Sequence, residues 1–361
     1  MDISLSSEGG AGPLTSNVTP TPPAAVSPPY RDRGTGLIVF GVLQIMLGCL
    51  ALLFVPFILL SALMSRKMGG GIMPAGNYIL SVATYGLAAA GMVTLGVGSI
   101  RARRWARALT LVLSWLWLVT GTLGTVLITA VLPTAFLTGF RAAAARTPDA
   151  QPMSTLVMAV VLTFMIALCA IFLIVLPILF VAFYRKSDVE ETCRRRDPVE
   201  RWTDRAPLPV LAASVVFASG AVYCVLLSFS MPILPVLGRY FTGVPAALLL
   251  LAIAVLDGFL AYALLRSNLA AWWIAVAALI LRLGSAALTF HRADLFEAYA
   301  KMGWSQEQMR VLTSNPGIRS GVYLYWGLMF SVLFLGYLFW IKRYFKHSTP
   351  RGPVEAELPV T

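Results

Sequence analysis

Residues 36–64 read GLIVFGVLQIMLGCLALLFVPFILLSALM, without one charged side chain. A helix rises 1.5 Å per residue, so about 20 residues cross the roughly 30 Å of hydrocarbon in a bilayer. A run of this length therefore predicts a membrane-spanning helix. Working outward, seven more blocks have the same character, at 78–100, 108–132, 153–184, 207–233, 244–265, 269–288 and 321–341. The expected fold class is all-α, a polytopic transmembrane helix bundle of eight spans. Short segments of alternating polarity, the mark of a membrane barrel, are not visible. The first and fourth blocks exceed what a bilayer needs and are expected to tilt or extend past it. Arg282 interrupts the seventh.

Composition agrees with that reading. Of 361 residues, 58% are hydrophobic and 12% are charged, with a mean hydropathy of +0.79. Soluble domains carry about 25% charged residues, so this chain has too little polar surface to cover a water-soluble body. The net charge of +12 does not point to nucleic acid. Its distribution follows the positive-inside rule. With the N-terminus inside, 18 of the 28 basic residues fall on cytoplasmic segments. The loop RARRWAR at 101–107 holds four of them. Both termini are thus expected in the cytoplasm, and the surrounding medium is the lipid bilayer.

The polar segments divide the chain. Residues 1–33 are rich in Pro, Ser, Thr and Gly (TPTPPAAVSPPY at 19–30) and read as a disordered tail, as do residues 346–361. The start lacks the basic and short apolar regions of a signal peptide. Between the tails lie two expected four-helix membrane units, 34–184 and 207–345, joined by a charged cytoplasmic connector at 185–206. An internal repeat is suggested by position. Cys49 precedes Pro56 and Cys224 precedes Pro232 by nearly equal spacings, and the second and sixth blocks both lead into a tight basic turn. Halves of equal orientation would be related by an axis along the membrane normal.

The connector RKSDVEETCRRRDPVERWTDRA carries seven basic and six acidic residues. Glu190–Arg194 and Glu191–Arg195 stand at i,i+4 and predict a short helix with paired charges. Asp197-Pro198 should end it. In the outer segment 289–320, helices are expected at about 292–314, lying on the membrane surface. Ser305 and Gln308 form a capping box there, with Trp304 stapling onto Met309.

Few residues could carry chemistry. Asp257 and Arg282 are ionisable groups inside spans, which are costly and therefore functional candidates. Folding the sixth and seventh spans about the turn at Arg266–Asn268 puts Arg282 about one helical turn, roughly 6 Å, from the level of Asp257. An ion pair follows. It is either a proton or cation site gated by Arg282, or a structural lock between two helices. The scarcity of further polar groups favours the lock. Gln44 is expected to make an interhelical hydrogen bond. Pro56, Pro177, Pro232 and Pro235 fall within or late in spans and should kink them. Cys193 precedes three arginines, which would lower its pKa, but without a neighbouring base it reads as an exposed, unreactive thiol. The two histidines, His291 and His347, lie on opposite sides of the membrane. No metal-ligand spacing, cofactor motif or catalytic constellation occurs, so neither a metal nor a cofactor is expected.

The opening RDRGTGLIVFGVLQIMLGCLALL at 31–53 resembles the first span of uncharacterised bacterial multi-pass membrane proteins of unassigned function. The stretch from Thr192 to Leu211 is similar to such proteins through Cys193, Arg196-Asp197-Pro198, Arg201-Trp202-Thr203-Asp204 and Pro207-Leu208-Pro209. The resemblance implies a multi-pass protein of the bacterial inner membrane and brings no activity or ligand. The functional expectation is a non-enzymatic accessory or scaffold protein, its partner another membrane protein or a second copy of this chain. The alternative is a small-solute or ion transporter or channel with a site near Asp257 and Arg282.

Overall fold

A computed structural model describes residues 31–67, 75–146, 155–302, 304–306, 309–310 and 322–345. The tails before residue 31 and after residue 345, and with them His347, lie outside the described residues. In chain order the elements are α1 (Gly34–Lys67), α2 (Ala75–Ile100), α3 (Arg104–Arg146), α4 (Thr155–Ala170), a π-helical turn (Ile171–Val175), α5 (Leu176–Tyr184), α6 (Ser187–Arg196), α7 (Trp202–Arg205) and α8 (Leu208–Ser230). Then follow strands β1 (Ile233–Val236) and β2 (Arg239–Thr242), helices α9 (Gly243–Leu265), α10 (Leu269–Arg292), α11 (Leu295–Lys301) and α12 (Val322–Ile341), and a closing 3₁₀ turn (Lys342–Tyr344).

Seven of the described helical stretches are long and apolar enough to cross a membrane: Gly34–Met64, Gly76–Ile100, Arg104–Pro133, Leu156–Tyr184, Leu208–Ser230, Gly243–Leu265 and Leu269–Arg292. α12 adds 20 apolar residues. Large apolar side chains cover the outside of the bundle, among them Phe57, Phe164, Phe229, Val255 and Leu281. A water-soluble protein would not expose such a continuous apolar surface. The chain is a membrane-embedded helical bundle.

Close helix contact rests on small residues, as expected where no hydrophobic force separates helix from lipid. α1 and α2 cross at Gly41 and Gly96. A methyl group on Gly96 would come within 2.6 Å of the Gly41 carbonyl oxygen, and one on Gly41 within 2.8 Å of the Gly96 carbonyl oxygen. Gly48, one heptad on, meets the carbonyl of Ala89 in the same way. On α3, Gly121 faces the Leu173 carbonyl of the π-helical turn, where a Cβ would sit at 2.2 Å. That turn precedes Pro177, which lacks the donor an α-helix would need at that position.

One buried cluster joins α1, α3, α5 and α6 through Leu37, Leu111, Phe180, Tyr184 and Val189. A second joins α8, α9, α10 and α12 through Phe217, Leu260, Leu264, Trp272 and Leu338. A small third cluster, Ala108 and Val112 with Leu211, connects α3 to α8. Tyr337 donates to the Pro209 carbonyl (2.7 Å) and Trp272 to the Leu338 carbonyl (2.7 Å), tying α12 to α8 and α10.

The turns after α2 and α9 have one geometry. Ala102 (φ 50°) and Ser267 (φ 53°) both take the left-handed conformation. Arg103 N–H donates to the Gly98 carbonyl, and Asn268 N–H to the Ala263 carbonyl, five residues back in each case. Both are Schellman closures of a helix C-terminus, built without glycine.

Two regions depart from the expectations. α8, the expected fifth span, stops at Ser230, so Pro232 and Pro235 do not kink it; Pro235 sits in β1. Residues 233–242 form an antiparallel hairpin with Ile233 opposite Thr242 and Val236 opposite Arg239. Leu237 and Gly238 make its two-residue turn, both at positive φ (46° and 92°), the pattern that matches strand twist. Ser285 Oγ and Thr289 Oγ1 on α10 accept from the Leu237 and Gly238 N–H groups at 2.9 and 3.0 Å. The second departure lies beside that contact. α10 runs on to Arg292, and the next helix starts at Leu295, capped by Asp294, rather than at 292. Trp304 packs on Tyr299 (ring centroids 4.8 Å). Met309 N–H donates to the Ser305 carbonyl, while Gln308 of the expected capping box lies outside the described residues.

Candidate functional site

Asp257 stands on α9, about 12 Å from the turn that leads into α10, and Arg282 stands about 20 Å along α10 from the same turn. The side chain bridges that difference in level. Arg282 Nη2 donates to Asp257 Oδ1 at 2.7 Å and Nη1 to Oδ2 at 3.0 Å. This two-pronged geometry is the strongest arginine–carboxylate contact. Asp257 is buried at 2% exposure, while the Arg282 side chain is 32% exposed. Gly220 on α8 covers the carboxylate, and a Cβ there would lie 3.3 Å from Oδ2. The pair thus joins α9 to α10 and sits under α8. The carboxylate is engaged through both oxygens.

Gln44 on α1 is buried, and its Nε2 donates to Thr110 Oγ1 on α3 at 3.0 Å. Gln44 Oε1 is buried without a hydrogen-bond partner among the described residues. Both residues line a cavity of about 730 Å³ that lies between α1, α2, α3, α5 and α8. Its polar lining is uncharged and includes Gln44, Thr84, Thr110, Ser114, Thr120, Ser219 and Tyr223. Thr84 and Ser114 spend their hydroxyl protons on carbonyls of their own helices, four residues back. Neither Asp257 nor Arg282 lines this cavity. The ion pair and this cavity therefore share no lining residue.

The connector is the most polar region of the described chain, and its geometry differs from local expectation. α6 does carry the Glu191–Arg195 pair (2.9 Å). Glu190 instead reaches Arg107 on α3 (2.9 Å), which leaves Arg194 exposed. Arg33 at the start of α1 pairs with Asp188 (3.2 Å), Asp32 with Arg196 (2.8 Å), and Arg104 with Asp204 (3.4 Å). Asp197, 1% exposed, accepts from Arg103 Nη1 at 3.2 Å and from the Arg104 N–H at 3.4 Å. The connector is therefore clamped onto α1 and onto the α2–α3 turn. The sequence offers one signal for this, an acid directly before a proline within an arginine-rich loop.

Cys193 is not exposed as expected. It is 1% exposed and packs with Leu37, Val181 and Val189. Burial pushes its thiol up to about 11, and the nearby Arg107 only partly opposes that. The thiol stays protonated and inert at neutral pH. No group of three or more His, Cys, Asp or Glu side chains that could hold a metal occurs among the described residues.

No family model, no curated protein and no solved structure matches the chain.

Proposed function

We propose that the chain is a non-enzymatic accessory or scaffold protein of the bacterial inner membrane, with eight spans arranged as two four-helix units. α12 is the eighth span in this reading. The matched turns at Ala102 and Ser267 and the separate buried clusters support the four-plus-four arrangement. The arginine-rich connector end then faces the cytoplasm, by the positive-inside rule. The single observation that carries the scaffold reading is the closed Asp257–Arg282 pair. Among the described residues Asp257 is the buried carboxylate within the apolar helices, both its oxygens hold α9 to α10, and neither it nor Arg282 lines the 730 Å³ cavity.

The test is flux. Purified protein in liposomes with a pH-sensitive dye inside should show no proton or cation leak above empty liposomes, and the double variant Asp257→Asn with Arg282→Gln should not alter the trace. A leak that depends on Asp257 overturns the reading in favour of a gated ion site.

A second reading has one observation of its own. The 730 Å³ cavity has the volume of a small-molecule site, and Gln44 in its wall has an amide oxygen with no partner among the described residues. It favours a pathway for an uncharged small solute at Gln44, Thr110 and Ser219, away from the ion pair. Solute-driven swelling of the same liposomes, lost on Gln44→Leu, would establish it.

A further inference from the structure

At the connector end, two spaces of opposite character meet. The first is a pocket of about 170 Å³ among α3, α6 and α7, lined by Arg104, Arg107, Glu190, Arg194, Thr203 and Asp204. Three arginines face two carboxylates there, so one positive charge is in excess. Among the described residues Arg194 is the free one, since Glu190 is taken by Arg107 and Asp204 by Arg104. Two of the lining residues carry a buried donor with no hydrogen-bond partner among the described residues, Arg107 Nε and Thr203 Oγ1. Thr203 is 2% exposed. Buried donors are almost always paired, and leaving one unpaired costs about 1–3 kcal/mol. Two in one basic pocket point to an acceptor-rich anionic guest.

The second space is a cleft of about 450 Å³ between α3, α8 and α12. Its walls are almost wholly apolar, with Val112, Leu116, Ala212, Phe334 and Trp340 among them. Leu208 lines both spaces and is 38% exposed. On α3, Ala108 belongs to the pocket and Leu111, less than one turn on, to the cleft. Along α12 the cleft runs from Phe330 to Trp340, about 15 Å at the helical rise, which is the depth of one leaflet.

We infer that this joint is a binding site for an anionic phospholipid of the leaflet on the connector side. The phosphate lies in the basic pocket, accepting from Arg107 Nε, Thr203 Oγ1 and Arg194. An acyl chain fills the cleft past Leu208. Charge complementarity selects an anionic headgroup, and the apolar cleft that shares the Leu208 wall with the basic pocket selects a lipid over a soluble phosphate. The site rests on α3, α6, α7, α8 and α12, so an occupant would join the two halves. The inference depends on the membrane reading but on neither the scaffold nor the transport reading.

The test uses the full chain in mild detergent, with bound lipid read by native mass spectrometry. The probes are dioleoyl phosphatidylglycerol and dioleoyl phosphatidylcholine. Phosphatidylglycerol should be retained about tenfold better at low salt, the scale of one charged hydrogen bond, and the preference should shrink as salt rises. Arg194→Gln and Leu208→Glu, both at exposed positions, should each remove most of that preference. Thr203→Val should weaken retention severalfold while leaving thermal stability unchanged or higher, an outcome a purely structural hydroxyl would not give. Millimolar glycerol phosphate should not compete. Equal retention of the two lipids, an unchanged preference in Arg194→Gln, or full competition by glycerol phosphate would each overturn the assignment.

Discussion

Replacing Asp257 by asparagine removes a charge and leaves the shape. Arg282 then stands inside the bundle without a counter-ion. Deleting one partner of a buried ion pair costs about 3–5 kcal/mol. Asparagine keeps one accepting oxygen, so one of the two contacts at 2.7 and 3.0 Å survives, and Arg282 is a third exposed. Those features bring the expected loss to roughly 2–3 kcal/mol. At about 1.4 kcal/mol per decade, the folding equilibrium constant falls roughly 30–150-fold. The assay is unfolding in mixed micelles followed by tryptophan fluorescence, with folded yield taken from monodisperse elution. Adding Arg282→Gln to Asp257→Asn replaces a stranded charge by two amides. It should recover most of the loss, because replacing a buried pair as a whole is often close to neutral. If the single variant stays within about 0.5 kcal/mol of the parent, or the double variant is no better than the single, the structural lock is wrong.

Gly96→Leu should abolish the α1–α2 crossing and sharply reduce monodisperse protein, since even a methyl group there meets the Gly41 carbonyl oxygen at 2.6 Å; elution profiles check it. Ser267→Gly should stabilise by about 0.5 kcal/mol, as relief of the left-handed backbone (about 1–2) outweighs the added unfolded-state entropy (about 0.5–1), read from the same unfolding assay. Cys193 should resist maleimide at neutral pH until the protein is unfolded. Its folded pKa is raised from 9.0 to about 11, so the stability tied to its protonated form is intact below pH 9 and is lost as pH rises towards 11. Mass spectrometry of labelled protein across that range follows both effects.

The sequence made the long helices and the ion pair legible for the same reason: both follow from the 1.5 Å rise. Length against bilayer thickness located the helices. Counting back from the turn at Arg266–Asn268 put Arg282 within reach of Asp257. What escaped depends on contacts between distant residues. Glu190 has Arg194 four residues away, yet it pairs with Arg107, 83 residues back, because α6 docks on α3. Cys193 looks activated beside three arginines, but α6 turns it into a buried cluster where desolvation wins. The hairpin at 233–242 hides between two apolar blocks. Only Gly238, flanked by ILPV and RYFT, hints at a two-residue turn. Its anchoring hydroxyls on Ser285 and Thr289 lie about 50 residues further on.

The proposed architecture is tested most directly by the sidedness of its loops. In a background with the four native cysteines replaced, single cysteines would be placed at Leu237 and Ser305, and separately at Arg195 and Arg266. A membrane-impermeant maleimide applied to intact spheroplasts should label Leu237→Cys and Ser305→Cys at once, and Arg195→Cys and Arg266→Cys only after permeabilisation. Labelling of Arg195→Cys and Leu237→Cys from the same side would contradict the four-plus-four arrangement, because α8 alone separates those positions.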